Sequence, residues 1–372
     1  MTARILLVIA ALIIGLSNWV AAVEHPGPTP AAVPHPRALQ PVVLSGSDAE
    51  RTRAAMLRRA AVSITPPARA RFSAAAEVTS CRYVQNRPSG TTPKFACVLD
   101  DGEIVKVKYG RHPEIHAEVA ASRLLQMLGY PADHVVMVRR LRCYGCPRYP
   151  FAGAYVLSNA LTRRLVTWRG DTGGYSDFEW VSVERRFPAP PVETASTKGW
   201  HWWELADANA DAGGRRRAEV DALLLLAAFL AHWDNKAENQ RIVCLDAPAA
   251  RDGCGRPLVM IQDLGGTFGP MKVNLSQWRD LPVWHDRATC TVSMRMLPYR
   301  GASFGDAVIS EAGRAQLAAR LSALREADVR HLFSYARFAE YQTGTDDEKD
   351  LDAWTAAFAH RASQITRTRC PA

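Results

Sequence analysis

Near the start of the chain an apolar run, Ile5-Leu6-Leu7-Val8-Ile9-Ala10-Ala11-Leu12-Ile13-Ile14, follows Arg4. From 23 to 47 no period is visible and Pro, Ala and His dominate, which predicts a flexible linker. Ser47 to Ala61 fits a short helix with Ser47 or Asp48 as its cap. The folded part is expected from about Ala76. Strand patterns follow at Cys81–Val84, Phe95–Leu99 and Ile104–Tyr109, the last two joined by the turn Asp100-Asp101-Gly102. Pro113 opens a helix that runs to about Leu128 and stops at Gly129. Another strand is expected at Val135–Val138. The Gly-, Pro- and Trp-rich stretch 169–215 resists assignment. Asp221 to His232, with Leu223-Leu224-Leu225-Leu226, is apolar all round and predicts a buried helix. Arg241–Cys244 and Leu258–Ile261 predict a hairpin, and 310–324, 326–337 and 349–366 predict helices. Strands first and helices afterwards fit a two-lobed α+β architecture.

Composition narrows this picture. With 48% hydrophobic and 22% charged residues over 372 positions, the chain is globular and long enough for two lobes. The net charge of +9 suits anionic partners without choosing among them. Arg4, the apolar run and the small residues Val20-Ala21-Ala22 have the pattern of a secretory signal peptide, so residues 1–22 are expected to be removed. The run is short for a membrane span, and no stable span is expected after cleavage. Export, to a periplasm, a secretory lumen or the outside, turns the 8 cysteines toward disulfides. Cys81 with Cys97, and Cys244 with Cys254, bracket hairpins and are expected to pair. Cys143-Tyr144-Gly145-Cys146 fits a redox motif, half a zinc site or a tight disulfide, and Cys290 and Cys370 remain for a further pair.

The segment richest in chemistry is His232-Trp233-Asp234-Asn235-Lys236-Ala237-Glu238-Asn239, between the buried helix and the hairpin; the hairpin's return strand ends in Asp263-Leu264-Gly265. Phosphoryl transfer needs a carboxylate to orient an acceptor hydroxyl and take its proton. It also needs an amide oxygen and a second carboxylate to hold Mg²⁺ against phosphates. Asp234 suits the base, Asn239 and Asp263 the metal ligands, and Lys236 the transferring phosphate. The pattern H-x-D-x-K-x-x-N followed by D-x-G is that of a protein-kinase catalytic loop. Taken singly, these residues also fit an ordinary polar helix end and turn; their order and spacing together favour the catalytic reading.

Upstream, Gly90-Thr91-Thr92-Pro93-Lys94 fits a cover for phosphates, since glycine allows close backbone approach. A plain hairpin loop is its simpler reading. Lys106 and Lys108 share one strand face, which a solvated edge would also explain. Glu114 falls in a first helical turn, where the dipole accounts for it. Glu118 stands among Ala117, Val119, Ala120 and Ala121, where a carboxylate needs a partner.

The run from Gly90 to Gly102, then Val107-Lys108, then Ala117-Glu118-Val119-Ala120-Ala121, resembles the N-lobe of the secretory-pathway kinases, the group of the Golgi casein kinase and the glycan xylose kinase. The glycine loop and its trailing lysine also resemble the HipA and phosphoinositide-kinase branches. The resemblance covers about 90–130 and 225–270. It implies a protein-kinase-like fold, with a small strand-rich N-lobe over 76–140 and a larger helical C-lobe over 141–372. It implies Lys94 at the phosphate loop, Lys108 as strand lysine, Glu118 as its partner or a metal ligand, and ATP with Mg or Mn as cofactors. Asn239 five residues after Asp234 is closer to ordinary protein kinases, the 234–263 hairpin is longer than usual, and no A-P-E segment follows. The expected activity is phosphotransfer to a hydroxyl of a protein, glycan or small molecule, with no nucleic-acid partner. A catalytically inactive pseudokinase acting as a binding module is the first alternative. An exported carbohydrate-binding protein using Trp200-His201-Trp202-Trp203 is the second, although a buried core explains those rings more simply.

Overall fold

The computed structural model describes residues 23–25, 39–64, 79–86, 88–152, 174–210, 214–246, 254–295, 297, 304–340 and 349–371. The expected signal peptide, most of the linker before Leu39 and the expected domain start at Ala76 lie outside them. In chain order the strands are β1 (Val23–His25), β2 (Val42–Leu44), β3 (Thr79–Val84), β4 (Lys94–Leu99), β5 (Ile104–Lys108), β6 (His134–Tyr144), β7 (Tyr175–Arg185), β8 (Val192–Thr194), β9 (Gln240–Cys244), β10 (Pro257–Ile261), β11 (Thr291–Val292) and β12 (Ala307–Val308). The α-helices are α1 (Ala49–Arg59), α2 (Pro113–Met127), α3 (Trp202–Asp207), α4 (Gly214–Leu230), α5 (Leu275–Asp280), α6 (Glu311–Ser322), α7 (Glu326–Tyr335) and α8 (Leu351–Thr366). The architecture is α+β. Two compact units divide the chain, one of Met1–Ala38, Ser73–Ile115 and Val136–Arg185, the other of Leu39–Phe72, His116–Val135 and Arg186–Ala372.

The first unit is built on a six-stranded sheet in the order β1-β7-β5-β4-β3-β6. Strands β3, β4, β5 and β7 pair antiparallel in succession, and β6 runs parallel to β3. Alternation along β4 and β5 sends Phe95, Cys97, Val105 and Val107 to a common core with Tyr109, Phe178, Val181 and Val183. The rings of Phe95, Tyr109 and Phe178 meet there at centroid distances of 5.0 to 5.7 Å. Strand β7 falls in the stretch that the sequence leaves unassigned, and its backbone explains why. Phe178 and Val181 share one face although an odd number of positions separates them. Trp180 between them has φ of 52° and takes up the extra residue, so no period of two is visible.

In the second unit α4 is buried from Ala222 to Leu230 without interruption, as its all-round apolar sequence predicts. Its C-terminal carbonyls end against the C-terminal helix. The buried guanidinium of Arg361 donates to Ala228 O and Phe229 O, both at 3.0 Å, to Trp278 O at 2.7 Å and to Leu281 O. Burial lowers the Arg361 pKa to about 9, a cost that these carbonyl contacts offset. Phe229, Phe268, Trp278, Phe333, Phe338, Trp354 and Phe358 form a continuous aromatic core around this helix end. Strands β9 and β10 form the expected hairpin, with Gln240 opposite Ile261 and Cys244 opposite Pro257.

All eight cysteines lie at disulfide distance in four pairs. Cα separations are 5.7 Å for Cys81–Cys97, 5.4 Å for Cys143–Cys146, 5.5 Å for Cys244–Cys254 and 5.5 Å for Cys290–Cys370. The C-x-x-C is therefore a tight disulfide, with Cys143 buried in the core of the first unit. Among the described residues no helix is long and apolar enough to cross a membrane.

Candidate functional site

In the second unit, helix α4 ends on Ala231, whose φ of 54° turns the chain into the loop. Ala231 N bonds Ala228 O at 3.1 Å and His232 N bonds Ala227 O at 3.0 Å, a left-handed helix stop made without glycine. His232 follows, completely buried. Burial brings its imidazole down to about 4, against the opposite pull of Asp234, Asp263 and the Gly266 backbone, so the ring is neutral at pH 7. His232 thus sits as a neutral, buried ring behind the loop.

Asp234 and Asn239 are tied together by the next bonds. Asn239 Nδ2 donates to Asp234 O at 2.7 Å across the one-turn 3-10 helix Ala237–Asn239. The amide nitrogen of Asn239 is committed by this bond, which makes its oxygen the atom able to meet a cation. Lys236 Nζ lies 3.0 Å from Asp234 Oδ1 and 3.2 Å from Oδ2. Asn235, buried, donates to His232 O at 2.9 Å.

The Asp263 segment is laced to the same loop. Gln262 N donates to Asn239 O at 2.8 Å, one residue before Asp263, and Trp233 N donates to Gly266 O at 3.1 Å. A Cβ on Gly266 would stand 3.1 Å from Asp234 Cβ, so the two backbones approach closely. Asp263 itself has φ of 52° and Phe268 has 58°, two non-glycine residues in the left-handed region flanking Leu264-Gly265-Gly266. Phe268 N bonds Leu230 O at 2.9 Å, which returns the segment to the end of α4. Gly199 braces the loop from outside, because with φ of 76° it passes where any Cβ would strike Ala237 O and Gln240 O. This arrangement gathers a carboxylate, an ammonium, an amide oxygen and the start of a second carboxylate segment in one place. Such a set is able to hold a divalent cation and to accept a proton from a hydroxyl.

In the first unit, Lys94 and Lys108 are direct partners on β4 and β5 and share one face of the sheet. Both are buried, Lys108 to 1% exposure, so the solvated edge is not what β5 presents here. Gly90, exposed with φ of 80°, stands against the ammonium of Lys94, since a Cβ on it would lie 3.3 Å from Lys94 Nζ. Thr91 is exposed beside it, and buried Thr92 donates to Glu114. Glu114 therefore has a partner in the glycine loop besides the helix dipole. Lys106, on the same face as Lys108, forms an ion pair with Glu184. Ser182 sits opposite Lys108 in register, buried, its hydroxyl without a hydrogen-bond partner among the described residues. Ser182 and Glu184 escape sequence reasoning because the phase change at Trp180 hides the strand. Glu118 belongs to the second unit and is 1% exposed.

Of the tryptophan run, Trp200 and Trp202 are core, in edge contact at 5.0 Å. Trp203 alone is exposed, stacked on His201 with 19° between the planes.

No family model matches the chain, and no curated protein matches it in sequence. Two similar solved structures are kinases. The Helicobacter pylori proinflammatory kinase CtkA has 10% sequence identity and a TM-score of 0.45, over 79% of this chain and 96% of its own. The Golgi casein kinase has 11% identity and a TM-score of 0.32, over 79% of this chain and 72% of its own.

Proposed function

We propose that the chain is an exported phosphotransferase that moves a phosphoryl group from ATP to a hydroxyl acceptor with the help of Mg²⁺ or Mn²⁺. The observation that carries this reading is the lacing of the two polar segments: Asn239 Nδ2 to Asp234 O, Gln262 N to Asn239 O and Trp233 N to Gly266 O. Such bonds tie together the backbone segments that carry Asp234, Asn239 and Asp263, which supports the reading because phosphoryl transfer asks a protein mainly for position and charge.

In this reading Asp234 orients the acceptor hydroxyl and takes its proton. Asn239 Oδ1 and the Asp263 carboxylate hold the metal, a donor set that suits a hard cation keeping water and phosphate ligands. The metal, when bound, neutralises charge developing on the phosphate oxygens. Lys236 keeps the Asp234 carboxylate company until the transferring phosphate draws it. Gly90 and Thr91 cover the phosphates, and Lys94 and Lys108 supply cationic charge to them. Glu118 completes the set as a buried carboxylate serving Lys108 or the metal. The four cysteine pairs favour an oxidising compartment and hence export.

Labelled-phosphate transfer across protein, glycan and small-molecule acceptors tests this. Asp263→Ala removes metal-dependent nucleotide binding with the fold intact by circular dichroism. Asp234→Asn keeps nucleotide binding and lowers transfer by about 10²–10⁴-fold. A wild-type protein that binds nucleotide yet neither transfers nor hydrolyses it is a pseudokinase.

A further inference from the structure

Helix α2 is gripped by the C-terminal helices through polar contacts where apolar packing would have served for burial alone. His116 Nδ1 meets Ala336 O at 2.7 Å, and both residues are buried. This requires the Nδ1–H tautomer and fills one of the orphan carbonyls at the end of α7. The Arg123 guanidinium lies over the Tyr335 ring, 4.3 Å from its centroid. At the far end, Arg320 of α6 donates to Leu128 O at 2.6 Å and lies over the Tyr130 ring at 4.5 Å. His116 and Arg123 are seven residues apart, two helical turns, so they lie on one face. Glu118 is two residues beyond His116, turned away by about 200°. The grip is thus on the side of the helix opposite Glu118. Directional bonds set where a helix stops along its axis and how it is rotated, which apolar contacts leave loose.

The gripping element is itself tied to the Asp263 segment. Phe333 and Phe338, on either side of Tyr335-Ala336, both pack on Phe268, at 5.7 and 5.5 Å between centroids. Phe338 N closes the end of α7 on Phe333 O at 3.0 Å.

We infer that the end of α7, Phe333 to Phe338, is a positioning clamp. Through His116 and Arg123 it sets the rotation and height of Glu118, and through Phe268 it sets the Asp263 segment, so that both carboxylates are placed by one element. His116, Arg123 and Tyr335 are positioning residues, because they lie on the opposite side of α2 from Glu118. The inference rests on the reading of Glu118 and Asp263 as parts of a nucleotide and metal site.

The test uses the full chain with ATP as probe, with and without Mg²⁺, together with amide hydrogen exchange over 116–124. His116→Leu weakens ATP binding in Mg²⁺ by about three- to tenfold, the range of one lost hydrogen bond. Binding without Mg²⁺ is unchanged, and exchange over 116–124 is faster. His116→Asn, whose amide nitrogen takes the place of Nδ1, restores both. Tyr335→Leu removes the ring beneath Arg123, gives a smaller change in the same direction, and carries the comparison if His116→Leu does not fold. Variants that match wild type in Mg²⁺-dependent binding overturn the clamp, as does a His116→Asn variant no better than His116→Leu. A wild-type protein that binds no ATP at all overturns the reading of the site instead.

Discussion

His232 gives the chain a pH dependence whose size follows from its burial. The ring is enclosed beneath the loop that carries Asp234, and its pKa falls from 6.5 to about 4. Above pH 6.5 the imidazole is neutral in the folded and unfolded chain alike. Below 6.5 the unfolded chain takes up a proton that the folded chain refuses until about pH 4, so folding stability falls as the pH drops through this window. At about 1.4 kcal/mol for each tenfold of affinity, the full loss is about 3 kcal/mol, and about 2 kcal/mol is already lost at pH 5. Urea unfolding at pH 7.5 and 5.0, followed by far-ultraviolet circular dichroism, measures it. His232→Leu removes the titrating group, so the drop between the two pH values is smaller than in wild type by about 2 kcal/mol. Comparing the two proteins cancels the carboxylates, which titrate in both. Equal drops in the two proteins, or an imidazole signal from His232 that titrates near 6.5 by NMR, would refute the argument.

Two further outcomes concern the supports of the site. Gly199→Ala forces a Cβ onto Ala237 O and Gln240 O at a backbone position with φ of 76°, and costs about 3 kcal/mol or more in denaturant unfolding, with metal-dependent nucleotide binding reduced because Asn239 lies in that turn. A loss below about 1 kcal/mol would show that the turn yields freely. The paired change Cys81→Ser with Cys97→Ser opens a link of sequence separation 16 across the strands that carry the glycine loop, and lowers stability by about 3 kcal/mol in urea; an unchanged midpoint and slope would count against the pair.

Much of this protein is legible in its sequence because the signals are local. Pro113 and Gly129 bound α2, the apolar run 222–230 marks α4, and Asp100-Asp101-Gly102 turns β4 into β5. Each depends on propensity or on periods within one element, which neighbouring residues decide. The order His232, Asp234, Lys236, Asn239 and Asp263 is equally visible, since one loop and one hairpin bring these residues together. Other features depend on residues far apart. The strand Tyr175–Arg185 is hidden by the backbone turn at Trp180, and the neighbouring Phe178 packs on Phe95 and Tyr109, residues far earlier in the chain. Burial of Lys108 is decided by β4 and β7 on either side of it; its own alternation fits a solvated face as well. The pairing of Cys290 with Cys370 and the role of Arg361 depend on α8 returning to the end of α4, and the hold of Ala336 on His116 spans 220 positions. The local pattern determined which elements form and which residues share a turn. Only the tertiary structure decided which polar groups lose their water and which partners replace it, because desolvation is set by everything packed around a group and not by its neighbours in the chain.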